Sequence, residues 1–193
     1  PAAPDIVGWD CREIDLHGGV RIIPFVTRSP LRHTIFHGTM STQRYAARTS
    51  LFRQAGGWNP DIYSWNDIEL AVRLLRLSPS IIRLKGEPTV TIRRTAVSIT
   101  GTSYSSGAGR REASLDSIEA NLATERERRL VRLRRAHLAG LYAAEGRPDL
   151  SAPLLSRALA AELSPLHRLL LRATCALTGR RIRGALRLFS PFF

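Results

Sequence analysis

Asp67 stands where a turn-rich segment passes into a candidate helix, and its surroundings could hold a carboxylate still. The run Gly56-Gly57-Trp58-Asn59-Pro60-Asp61 punctuates the chain, and Asn66-Asp67-Ile68-Glu69-Leu70-Ala71-Val72-Arg73-Leu74 follows four residues later. A general base must be fixed, partly exposed and within hydrogen-bond reach of the proton it removes. A loop-to-helix junction supplies that position, but it also suits a plain helix cap, a common place for Asp and Asn. Residue types alone leave base and cap open. Glu69 precedes Arg73 by four residues, the favourable helical spacing, and reads as a solvated or half-buried ion pair. Trp58 and Trp65 offer flat apolar faces that either stack on a sugar ring or fill a core. Trp58 reads as core; Trp65, close to Asp67, is open between the two.

The elements that must position these residues alternate in the first part of the chain. Asp5-Ile6-Val7 and Arg21-Ile22-Ile23-Pro24-Phe25-Val26 read as short strands. Ser29 to Thr39 reads as a loop punctuated by Pro30 and Gly38. Ser50 to Ala55 reads as a short helix stopped by Gly56 and Gly57. A helix from about Asn66 to Leu77 is apolar on most sides and is expected to be largely buried. Ile81-Ile82-Arg83-Leu84 and Thr89-Val90-Thr91-Ile92 are strands, the second running into Arg93-Arg94.

Near residue 105 the composition changes to Leu, Ala, Arg and Glu, after a stretch (Thr102 to Gly109) of linker composition. Three or four helices are expected beyond it. The first runs from about Arg111 to Glu145, whole or broken. A second covers Leu150 to Glu162, and Pro165 opens a third that ends near Gly179. The spacing from His137 to Arg147, then Ala158-Leu159 and Ser164-Pro165, resembles one tetratricopeptide-like helix pair, which needs a neighbour to bury its face. Arg180 to Phe193 reads as a short basic amphipathic end.

The 193 residues suffice for one ordinary domain with an appendage. The net charge of +13 invites an anionic partner. Every basic residue except Lys85 is arginine, a bias that base composition of the genome can produce, and no known nucleic-acid module is visible, so nucleic acid is not an expected partner. Cys11 and Cys175 are the only cysteines, which argues against a disulfide framework and for a reducing compartment. No apolar run reaches the length of a membrane span. None of His17, His33, His37, His137 and His167 forms a ligand-spaced cluster, so no metal ligand is assigned.

The run from Arg48 to Leu74 resembles the second half of the catalytic domain in family 2 glycosyltransferases, which have the GT-A fold. The family's pattern is an arginine-bearing strand and short helix, then Gly-Gly-aromatic-Asp/Asn, a variable loop, an acidic pair, Glu/Asp-Leu and an arginine one turn later. Here these are Arg48, Leu51-Phe52, Gly56-Gly57-Trp58-Asn59, Asn66-Asp67, Glu69-Leu70 and Arg73. Arg93-Arg94 and Ser98-Ile99-Thr100 resemble the family's basic strand and terminal element.

The resemblance, which covers roughly residues 1–101, implies an α/β fold class with a partial GT-A-like mixed sheet and flanking helices over residues 1–105; the composition beyond it adds an all-α extension over 106–193. It implies that Asp67 deprotonates an acceptor hydroxyl, which attacks the anomeric carbon of a nucleotide sugar with inversion. Trp58, Trp65, Asn66 and Glu69 would shape the acceptor site, with the loops from Ser29 and Asp61. Arg93 or Arg94 would face donor phosphate, and Gly56, Gly57 and Arg73 would be structural.

Two departures stand out. Asn66 replaces the first acid of the pair, and Thr95 stands near the place of a metal-binding histidine. The Asp-x-Asp motif that holds a divalent metal, Mg or Mn, against the donor diphosphate is absent from the chain. With Pro1 as first residue, the expectation is the C-terminal portion of a longer enzyme, inactive alone. Its partners would be a nucleotide-sugar donor and a glycan or lipid-linked acceptor. Its location would be the cytoplasm, extending to peripheral contact with the inner face of the membrane. A rival reading is a non-catalytic basic adaptor: residues 110–193 hold 16 arginines against 8 acidic residues and would rest on anionic membrane.

Overall fold

The computed structural model describes residues 3–95, 103–182 and 184–193, so Ser98-Ile99-Thr100 lies outside the described residues. The chain forms two compact units, Pro1–Ile99 and Thr100–Phe193. Together they are α/β: among the described residues there are two three-stranded mixed sheets and eight α-helices.

In the first unit a single residue, Asp10, separates strand β1 (Ile6–Trp9) from β2 (Cys11–Ile14), and each strand is the centre of its own sheet. β1 pairs antiparallel with β4 (Tyr45–Ala47) and parallel with β5 (Ile81–Leu84). β2 pairs antiparallel with β3 (Val20–Ile23) and parallel with β6 (Val90–Arg93). Asp10 holds the break: its Oδ1 accepts from the Phe25 amide at 2.9 Å and from Arg83 Nε at 2.8 Å. The strand expected over 21–26 therefore ends at Ile23, because Pro24 has no amide to donate and Phe25 turns its amide to Asp10.

The segment expected as a loop is helix α1 (Pro30–His37). Pro30 and Gly38 are its start and stop. Proline at the first turn sacrifices no intrahelical bond, and Gly38, at φ 59°, closes the end with its amide on the Thr34 carbonyl. α2 (Thr49–Gln54) and α3 (Asn66–Arg76) complete the unit. α3 turns Leu70, Ala71 and Leu74 onto Ile6, Phe25, Met40 and Leu51, the core of the unit. Burying each leucine contributes roughly 2 kcal/mol.

The second unit is all helical: α4 (Ala108–Ala120), α5 (Glu125–Ala144), α6 (Pro148–Ala160), α7 (Pro165–Gly179) and α8 (Ala185–Phe189). The long helix expected from Arg111 is broken at Asn121–Thr124. Thr124 and Glu127 form a reciprocal capping box there, which starts α5. The stretch expected as linker instead begins the unit: Glu145 accepts from the Tyr104 and Ser105 amides and the Ser103 hydroxyl. α5 packs against both α6 and α7.

This helical unit neutralises much of its own charge. Arg132 reaches Glu125 and the fully buried Glu162, Arg129 also reaches Glu162, and Arg135 spans Asp116 and Glu119.

Candidate functional site

The site is built on the passage from α2 to α3. Gly56 and Gly57 both take left-handed backbone, at φ 83° and 67°, and their amides cap the Arg53 and Phe52 carbonyls. Side chains other than glycine's are strained there. Trp58 then leaves the turn 43% exposed, so it is not a core residue. Phe52 packs edge-on against it, at 6.3 Å between ring centroids. Asn59 Oδ1 accepts the Asp61 amide at 3.0 Å, a local turn that carries the chain to buried Ile62.

Trp65 caps α3 in a left-handed conformation, φ 55° and ψ 28°. A bulky residue there is a strained outlier, held by the structure around it. Its carbonyl accepts the Glu69 amide at 3.0 Å, the first bond of the helix. Asn66, exposed, turns its Oδ1 to the Asp67 amide at 2.9 Å, and Asp67 Oδ1 accepts the Ile68 amide at 2.9 Å. Trp65, rather than Asp67, occupies the cap position, and its own side chain makes no capping bond. Asp67 thus lies inside the first turn of α3, half-buried.

Tyr45 of β4 lies within the electrostatic reach of Asp67. Burial, then the Asp67 charge, pushes its phenol up to about 12. The phenol therefore stays protonated across the physiological range. Among residues with an electrostatic link to Asp67, Tyr45 had no sequence signal, because a three-residue strand is too short to show a period.

Glu69 is buried. Both of its oxygens meet Arg73, at 2.8 and 2.7 Å. Arg73 also donates through Nη1 to the Ala55 carbonyl, just before Gly56. The expected solvated or half-buried pair is thus a buried fork that ties α3 to the end of α2. Arg48 caps α2 and donates to the Ala3 and Pro4 carbonyls, with Asp5 beside it at 3.4 Å.

The basic pair lies on the other sheet. Arg94 follows β6 and pairs with Glu13 at 3.2 Å, which Arg21 also engages. Arg93 ends β6 and is exposed. A groove of about 380 Å³ opens at the strand break, lined by Trp9, Asp10, Leu84, Lys85, Glu87 and Thr89, and none of the residues singled out in the sequence borders it. Among the described residues, no group of three His, Cys, Asp or Glu side chains could hold a metal ion.

Comparison with family models, with curated proteins and with solved structures returns no match. The resemblance to family 2 glycosyltransferases rests on the residues quoted above.

Proposed function

We propose that this chain is the acceptor-side portion of an inverting glycosyltransferase in which Asp67 is the general base. The observation that supports it most is the placing of Asp67. It is half-buried in the first turn of α3, behind a strained Trp65, on a helix anchored by the Glu69–Arg73 fork. Strain retained at a rigid helix start is a mark of functional sites.

In the reaction, the acceptor hydroxyl hydrogen-bonds to the Asp67 carboxylate. As its oxygen attacks the anomeric carbon of the donor sugar, the proton passes to Asp67. The bond from that carbon to the diphosphate oxygen breaks on the opposite face, and the nucleoside diphosphate leaves with the bonding pair. Trp65 and Trp58 would present ring faces to the acceptor, and Asn66 would hydrogen-bond to a second hydroxyl. Donor phosphate contact by Arg93 is part of the same proposal; Arg94 is already committed to Glu13.

The test is Asp67→Asn in the enzyme that carries this segment, assayed by release of nucleoside diphosphate with a glycan or lipid-linked acceptor. General-base loss lowers kcat by about 10²–10⁴-fold. The thermal midpoint should hold, because the asparagine side-chain oxygen can still accept the Ile68 amide. Retained activity, or an unfolded variant, overturns the assignment.

A further inference from the structure

Beyond Glu162 the chain carries no acidic residue, while six arginines (168, 172, 180, 181, 183 and 187) lie in the last thirty-one positions. The earlier part of the helical unit offsets its arginines with carboxylates, so most of the unit's excess charge sits at this end.

The same end exposes apolar side chains. Along α7, Leu166 and Leu169 are 57% and 61% exposed, and Leu163, just before it, is 89% exposed. Helical spacing puts Leu166, Leu169, Arg172, Ala176 and Arg180 on one side. The opposite side, Leu171, Thr174, Cys175 and Thr178, is buried. After α8 the chain end returns to the start of α7: His167 Nε2 lies 3.0 Å from the Phe192 carbonyl, and the His167 and Phe193 rings pack at 4.8 Å. This return places the exposed Phe192 at the same end of α7 as Leu163 and Leu166. Ile182 and Leu188 are exposed as well.

We propose that the outer side of α7, with the chain end folded against its start, seats on an anionic lipid bilayer. The leucines and Phe192 would enter the acyl boundary and the arginines would meet lipid phosphates. Among the described residues, no helix is long and apolar enough to cross a membrane, so the contact lies in the interface. The charge argues for anionic rather than neutral lipid. The interleaved leucines argue against nucleic acid, whose phosphates gain nothing from them. The proposal stands independently of the role of Asp67.

The test is co-sedimentation of the full chain with two kinds of vesicle, phosphatidylcholine alone and phosphatidylcholine mixed equally with phosphatidylglycerol. Binding should be at least about tenfold tighter to the mixed vesicles and weaken with salt. The variant Leu166→Ser/Leu169→Ser should lose about tenfold on mixed vesicles, and Arg172→Gln/Arg180→Gln should lose the preference for anionic lipid. All these positions are exposed, and the fold of each variant is to be checked by circular dichroism. Leu163→Ser, outside the helix, gives a second reading of the apolar contact should the double leucine variant unfold. Equal binding to both vesicles, unchanged binding of the folded variants, oligonucleotide binding without vesicle binding, or a dimer in sedimentation velocity that the leucine variant dissociates would each overturn the proposal.

Discussion

Arg73 holds Glu69 in a two-point fork, Nε to Oε1 at 2.8 Å and Nη2 to Oε2 at 2.7 Å, and spends its last nitrogen on the Ala55 carbonyl. Three donors in one plane serve two helices at once, and a lysine cannot reproduce that geometry. Arg73→Ala takes the two-point fork away from the buried Glu69 carboxylate, which costs about 3 kcal/mol in urea unfolding. Arg73→Lys should retain the charge, lose the tie to Ala55 and cost less; on the proposed reading, transfer by the enzyme that carries this segment still falls because the start of α3 shifts. If Arg73→Lys matches the parent in both stability and transfer, the fork does not position Asp67.

Trp65 makes the second prediction. Its left-handed backbone suits asparagine far better than a bulky ring. Trp65→Asn relieves strain while removing half-buried apolar surface, so its stability should stay within about 1 kcal/mol of the parent. On the proposed reading, the acceptor KM of the enzyme that carries this segment should rise severalfold. A large loss of stability with an unchanged KM would show that Trp65 serves the core alone.

How far the sequence disclosed this site depended on which signals were local. The glycine turn, the start of α3 and the Glu69–Arg73 spacing follow from backbone and helix rules that act over a few residues, and they stand where the pattern put them. The depth of Glu69 could not be read, since burial depends on what distant parts of the chain bring to α3. Trp58 was misjudged for the same reason: hydrophobicity favours the core, but the Gly56-Gly57 turn carries the ring outward. α1 was missed because proline and glycine mark loops and helix ends alike; Pro30 and Gly38 are a helix start and stop eight residues apart. The break before α5 had a local signal in Thr124 and Glu127, which the continuous run of helix formers concealed.

His137 gives a prediction in pH. Its Nδ1 lies 3.0 Å from the Thr178 hydroxyl, between α5 and α7. Burial, then the charge of Arg134, pushes the imidazole down to about 4 from its ordinary value of 6.5. The unfolded chain therefore takes up a proton as pH falls through 6.5, and the folded chain does so only near 4. Protons favour unfolding in that window: the stability present above 6.5 declines progressively towards 4, by up to about 3 kcal/mol. His137→Gln should flatten the decline between pH 6.5 and 5, where most carboxylates remain ionised. Parallel stability profiles for parent and variant would show that His137 does not carry the effect.

Two glycines should respond to alanine with opposite signs. A Cβ on Gly140 of α5 would lie 2.6 Å from the Cys175 carbonyl oxygen and 2.6 Å from Thr178 Cβ. The first of these is backbone of α7 and cannot swing aside, so α5 and α7 must separate or shift. Alanine is the better helix former by about 1 kcal/mol, but overpacking of this kind costs about 1–3 kcal/mol. Gly140→Ala should therefore lower the thermal midpoint. A Cβ on Gly109, in the first turn of α4, meets nothing within 4 Å. There only the propensity and unfolded-chain terms act, and Gly109→Ala should raise the midpoint by the equivalent of up to about 1 kcal/mol. Calorimetry of the two variants beside the parent separates the cases. If Gly140→Ala also stabilises, the close approach of α5 to α7 does not depend on glycine.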